Sequence, residues 1–222
     1  MKLSITSIFL LAAITSFSQD GSADYVNLTG AIGSNQGSVS IDYVHLWRLG
    51  KSQKIEIGFG GRFTSYFGSS QYYSSAPASL AADETKSDSL LLQSPQVNAL
   101  NIAINLGYRI SPKLGVGFNI DALGFSFGGT KDGSYINGSQ GQATSAKPTS
   151  FNILLIGNSD RGSLNSEFYV RYFIKEKFAI KVAYQYLFTE YTTDTKVQQL
   201  PEPNDRFRNK ASLVSLGITK QL

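Results

Sequence analysis

The sequence predicts an all-β chain: an eight-stranded, antiparallel, up-and-down barrel that crosses a membrane, with short periplasmic turns and long extracellular loops. Three observations predict it. Extended stretches of about ten residues or more recur, longer than the ~5–6 usual in soluble domains and matched to the ~9–11 that a membrane strand needs. Within them bulky apolar residues keep one parity, while Gly, Ala, Asn and isolated charges keep the other. Apart from a brief first hairpin, the connections alternate between short and long.

Composition agrees. The chain carries 12 Tyr, 14 Phe and 21 Gly, a mixture that favours strands and turns over helices. The lack of Cys excludes disulfides, thiolate metal sites, Cys nucleophiles and lipid anchoring through Cys. A net charge of +4, scattered along the chain, gives no basis for nucleic-acid binding.

Taken in order, residues 1–18 read as a secretory signal peptide. MKLSITSIFLLAAITSFSQ has one early Lys, an apolar run over Ile8–Ile14, and Ser16-Phe17-Ser18 as a small-x-small cleavage signature. Residues 19–222 then form the barrel. Strands are expected at about 24–33, 37–48, 53–66, 97–110, 113–127, 164–174, 178–192 and 207–221. The turns LGKS, Ser111-Pro112 and Lys175-Glu176-Lys177 are short, whereas 67–96, 128–163 and 193–206 are long. No later stretch approaches the ~20 continuous apolar residues of a spanning helix.

The faces set the orientation of each strand. Leu100, Ile102, Ile104, Leu106, Tyr108 and Ile110 oppose Ala99, Asn101, Ala103, Asn105, Gly107 and Arg109. The other strands repeat this, and over 113–127 the phase slips near Ala122/Leu123, as a bulge allows. Phe- and Tyr-rich faces would overfill a narrow bore, so the bulky face is expected to meet lipid. Tyr43, Trp47, Tyr108, Tyr172 and Phe178 near one end, and Phe63, Phe168 and Phe188 near the other, stand where interfacial girdles belong.

The long loops are rich in Ser, Gly and Ala and are expected to be solvated and mobile. Tyr72, Tyr73 and Tyr135 are their candidate contact residues. FNILLI (151–156) is too apolar for a free loop and reads as a strand extension or rim segment.

The inward parity collects an expected interior charge network of Asp42, Glu56, Arg62, Arg109, Asp121, Glu167, Arg171 and Lys181, with Lys54 at its edge. A tight 175–177 turn sets Arg171 opposite Lys181. Like charges so placed repel, so a carboxylate must intervene: Glu167, with Glu56 or Asp121. Such a network either plugs the bore or lines a narrow channel for ions. The single His, His45, falls near the short-turn end and is read as structural. GFGG (58–61) lies inside a strand with no following helix, so it is no phosphate loop; its glycines are expected to clear space for inward neighbours. No catalytic, cofactor-binding or metal-binding residue is assigned, and no cofactor is expected.

With its signal peptide, alternating loops and inverted faces, the chain resembles the small eight-stranded outer-membrane barrels, the OmpA/OmpX-like porin family, in the variety common among Bacteroidetes. SLNSEFYVRYFI followed by KEKFAIKVAYQYLFTEYTTD resembles the penultimate hairpin of that family. KASLVSLGITKQL departs from the family's ending: it closes on Leu rather than Phe, and Lys220 shares the apolar parity. The resemblance implies a non-enzymatic, monomeric protein of the cell outer membrane, structural or acting through its loops. Outer-membrane lipid, lipopolysaccharide and the barrel assembly machinery are its implied partners. A narrow porin-like channel and a soluble secreted lipid-binding barrel are the alternatives.

Overall fold

The structure, a computed structural model, describes residues 21–137, 141–155 and 159–222. The expected signal peptide (1–18) and the end of the FNILLI segment lie outside them. The strands in chain order are β1 (Ser22–Gly33), β2 (Gln36–Leu49), β3 (Ile55–Gly68), β4 (Gln71–Ser75), β5 (Ser89–Leu92), β6 (Gln96–Arg109) and β7 (Leu114–Phe127). They continue as β8 (Lys131–Tyr135), β9 (Ala143–Pro148), β10 (Phe151–Ile153), β11 (Leu164–Lys175), β12 (Phe178–Thr193) and β13 (Arg206–Gln221). One short helix, α1 (Ala78–Ala81), follows β4.

The expectation of an eight-stranded barrel is corrected here. Among the described residues the sheet has thirteen strands, and it closes on itself twice. The larger ring passes through β1, β2, β3, β6, β7, β11, β12 and β13 and back to β1, all antiparallel. A smaller ring runs β12, β9, β8, β5, β4, β13 and back to β12. The two rings share the β12–β13 hairpin.

The extra strands have a physical cause. β12 and β13 pair with each other as far as Thr192↔Arg206. Their other neighbours stop sooner, β11 at Leu164↔Phe188 and β1 at Ile32↔Val214. That leaves unpaired N–H and C=O groups along two edges, and such groups need partners. β9 takes the free edge of β12 at Tyr191–Thr193, and β4 takes that of β13 at Phe207–Arg208. β5 and β8 bridge the gap between them.

FNILLI behaves by the same logic. Its β10 pairs Phe151–Ile153 with Phe125–Leu123 of β7, above the point where β11 leaves that edge. It extends the sheet. The slip expected near Ala122 is a register shift in the β6–β7 pairing, where Ile102 faces Leu123 and Ala103 faces Asp121.

Side-chain burial inverts that of a soluble sheet. Leu100, Ile102, Ile104, Leu106 and Tyr108 are exposed on β6, and Phe168, Val170, Tyr172 and Ile174 on β11. Arg62, Asn101, Asp121, Glu167, Arg171 and Lys181 are buried. An apolar belt facing out around a charged interior is the pattern of an outer-membrane β-barrel, because lipid replaces water outside. A soluble lipid-binding barrel would need the reverse. No helix among the described residues is long and apolar enough to cross a membrane.

Two apolar clusters complete the core. At the short-turn end Tyr25, Val44, Leu46 and Phe173 pack with Ala23 and Ala179. At the far end Tyr73, Leu90, Leu92, Tyr135, Tyr191 and Phe207 form the centre of the smaller ring, continuous with Tyr66, Val97, Leu187 and Leu213 of the longer strands. The segments expected to be mobile loops therefore fold into a cap with a core of its own.

Candidate functional site

Strand parity aims four carboxylates, Asp42, Glu56, Asp121 and Glu167, into the bore with the cations Arg48, Arg62, Arg171 and Lys181, and Arg109 shares that parity at the rim. Glycine stands opposite three of these side chains in the ladder. Arg171 pairs across the ladder with Gly115, Lys181 with Gly217 and Glu56 with Gly107. Tyr169 faces Gly117, where an added Cβ would stand 2.4 Å from the phenol ring.

Two ion-pair groups result. Arg62 reaches from β3 to Asp121 on β7, with Nη2 2.5 Å from Oδ1, and donates to Asn119 Oδ1 at 2.7 Å. Its Nη1 lies 3.4 Å from Glu167 Oε2 on β11. Lys181 Nζ meets the same Glu167 oxygen at 3.0 Å, and Asn119 Nδ2 donates to it at 2.9 Å. Asn101 Nδ2 and the Asn165 backbone N–H complete Asp121 at 2.7 and 2.9 Å. Nearer the short turns, Glu56 takes Arg171 at 2.9 Å and Arg48 at 3.4 Å. The Arg171 guanidinium carbon stands 4.2 Å from the centre of the Tyr25 ring, a cation–π contact.

Arg171 and Lys181 do face each other in the β11–β12 register. Glu56 and Glu167 separate them, one carboxylate for each cation. Asp42 accepts from Asn27 Nδ2 at 2.5 Å and makes no ion pair among the described residues. Arg109, half-buried at the short-turn rim, joins neither group. Arg48 belongs to the interior although sequence parity was not followed that far. Its parity with Asp42 was the available signal. Asn101 and Asn119 lie inside, as their parity predicts, whereas the amides Asn27 and Asn165 carried no charge pattern to follow.

Apolar clusters flank this polar layer on both sides. The Tyr25–Phe173 cluster lies below it and the cap core above. The interior cavity bounded by Asn27, Asn105, Asn119, Tyr169, Arg171 and Lys181 measures about 10 Å³, the lower limit for one water molecule.

The candidate loop contacts separate. Tyr72 is 58% exposed, whereas Tyr73 at 0% and Tyr135 at 2% belong to the cap core. Tyr73 stacks edge-on with Tyr191 and shares a hydrogen bond with Thr189 Oγ1 at 3.0 Å. Burial pushes its phenol well above the ordinary tyrosine range. Tyr135 donates to the Asp88 carboxylate. Burial and that carboxylate raise it too. A second ionic group braces the cap: Glu190 takes Arg206 at 2.8 Å and Arg208 at 2.7 Å, and Arg208 also donates to the Asp160 carbonyl.

His45 has a partner that sequence spacing did not reveal. Its Nδ1 lies 2.8 Å from Asp24 Oδ1, which also accepts from the Tyr43 hydroxyl at 2.6 Å. The ring packs edge-on against Trp47 at the outer surface. The register explains it, since Asp24 pairs directly with His45 across β1–β2. Gly58 and Gly60 serve a purpose other than the one expected. Added Cβ atoms there would lie 1.8 and 1.9 Å from the carbonyl oxygens of His45 and Tyr43, so they let backbones approach rather than clear space for side chains. Among the described residues no group of three or more His, Cys, Asp and Glu is placed to hold a metal ion.

No family model matches the chain, and no curated protein matches it. The resemblance to the eight-stranded OmpA/OmpX-like family is therefore corrected together with the strand count, since a thirteen-stranded sheet is not that fold. Solved structures similar to it include Ail, the attachment invasion locus protein of Yersinia pestis, 10% identical over 90% of this chain and 97% of that one, with a TM-score of 0.40. Neisserial surface protein A is 10% identical over 91% of this chain and 100% of that one, at 0.39. A major outer membrane protein from Thermus thermophilus is 10% identical over 91% and 100%, at 0.41. The outer-membrane reading stands on the chain's own surface: apolar outside, ionic inside.

Proposed function

We propose that this outer-membrane barrel is sealed, and that it acts through the folded cap rather than through its bore. One observation carries the reading: a polar layer of paired charges lies between two apolar clusters. An ion entering the bore would have to cross an apolar layer and then displace paired charges, each step costly in a narrow, water-poor interior. The interior network of Glu56, Arg62, Asp121, Glu167, Arg171 and Lys181 holds the strands together across the bore, with Asp42 tied in through Asn27. Arg109 stands apart at the rim.

In this reading the short turns face the periplasm and the cap faces the outside of the cell. Outer-membrane lipid and lipopolysaccharide surround the apolar belt, and the barrel assembly machinery inserts the chain. The protein works as a monomer. Tyr72, open on the cap, is a contact residue, whereas Tyr73 and Tyr135 support the cap from within.

Purified protein in planar lipid bilayers tests the seal. No stepwise conductance is expected at any holding potential, with or without truncation of Tyr72. Stable single-channel steps from wild-type protein would sink the reading in favour of a narrow ion channel.

A further inference from the structure

A groove of about 380 Å³ lies on the outer flank of the smaller ring, where β4 meets β13. That volume is within the range of small-molecule sites. Its walls include Tyr72 and Ser74 of β4, Glu84 and Ser87 from the segment after α1, and Asn209 and Lys210 of β13. Arg208 also borders it, but its guanidinium is committed to Glu190 at 2.7 Å.

The chemistry of the walls selects a ligand class. Asn209 is 8% exposed, and its Nδ2 donates to the Tyr72 carbonyl at 3.1 Å. Its Oδ1 is buried without a donor. That oxygen lies beneath the groove wall, where Asn209 braces β13 against β4. Beside it the largely exposed Tyr72 ring offers a flat apolar face with a polar tip. Ser74 and Ser87 add hydroxyls that both donate and accept, and Glu84 and Lys210 contribute one charge of each sign. A bare anion would meet Glu84. A purely apolar ligand would strand Lys210 and Glu84.

We propose that this groove binds a neutral saccharide. The sugar's C–H face stacks on Tyr72, and its hydroxyls bond Ser74, Ser87, Glu84 and Lys210. The sugar belongs either to the membrane's own glycolipid or to a foreign glycan. This deepens, and rests on, the reading that the cap is the interacting part of the molecule.

The test places the full-length protein in phospholipid nanodiscs on an array of neutral and acidic oligosaccharides. At least one neutral oligosaccharide is expected to be retained. Tyr72→Ala, which removes the stacking face, and Ser87→Trp, which fills the groove, should each weaken retention by roughly tenfold or more. Heat-modifiable gel migration checks that both variants remain folded. Adding lipooligosaccharide to the nanodiscs assigns the source: loss of array binding marks the membrane's own sugar, unchanged binding a foreign glycan. The proposal is overturned if wild-type protein retains no neutral oligosaccharide. It is equally overturned if only sulfated or phosphorylated glycans bind and salt releases them, or if both substitutions leave retention unchanged. A barrel that is silent in bilayers yet binds no sugar overturns the groove and leaves the sealed reading intact.

Discussion

Arg62 crosses the bore from β3 to carboxylates on β7 and β11, so its removal disturbs two charges at once. Arg62→Ala would leave Asp121 with amide donors alone and Glu167 leaning on Lys181. Breaking a buried pair by deleting one partner costs about 3–5 kcal/mol. A loss of that size is expected in urea unfolding of micelle-folded protein. Arg62→Met combined with Asp121→Leu should recover part of it, because no orphan charge remains. A single Arg62→Ala variant within about 1 kcal/mol of wild type would show the pair to be idle. At this scale the sequence was informative where parity and charge coincide, as at Arg171 and Lys181. It was silent on Asn165, whose role depends on which neighbours the ladder delivers. The Asp24–His45 contact was hidden similarly: twenty-one positions separate the two, and only the β1–β2 register joins them.

Among the elements, the long strands and the cap strands differ in what specifies them. β6 and β11 alternate over twelve or more residues, so their faces can be read directly. β4, β5, β8, β9 and β10 span only three to six residues each and draw on Ser, Gly and Lys as readily as on Leu. Their extended form comes from edges that β7, β12 and β13 leave open, a tertiary cause that local pattern does not record. The cap's order has a titration consequence. Tyr73 and Tyr135 are held above their ordinary ionisation range in the folded cap. Phenols raised in this way ionise more readily once unfolded, so the cap is fully stable below the unfolded value, near pH ~10, and loses stability as pH rises beyond it. Tyrosinate absorbance should therefore show these two phenols ionising above the ordinary tyrosine range, together with loss of cap structure. If Tyr73→Phe and Tyr135→Phe leave the late phase of the titration unchanged, the cap tyrosines are not its source.

For the molecule as a whole, the absence of Cys makes orientation simple to measure, because one introduced thiol is the sole reporter. A membrane-impermeant maleimide should label Tyr72→Cys on intact cells. Glu176→Cys, in the β11–β12 turn, should react only after the outer membrane is permeabilised. The opposite pattern would turn the barrel over. Strand length, alternating connections and inverted faces made the membrane address legible in the sequence, whereas the second ring was not legible at all. That ring gives the β12–β13 hairpin an unusual position. β13 pairs with β1 and β12 in one closed cycle and with β4 and β12 in the other. β13 also follows the other twelve strands in the chain. Until it docks, both cycles stand open, with adhesive edges at β1 and β4. Completion is therefore a single event: the hairpin that seals the wall in the lipid also latches the roof above it.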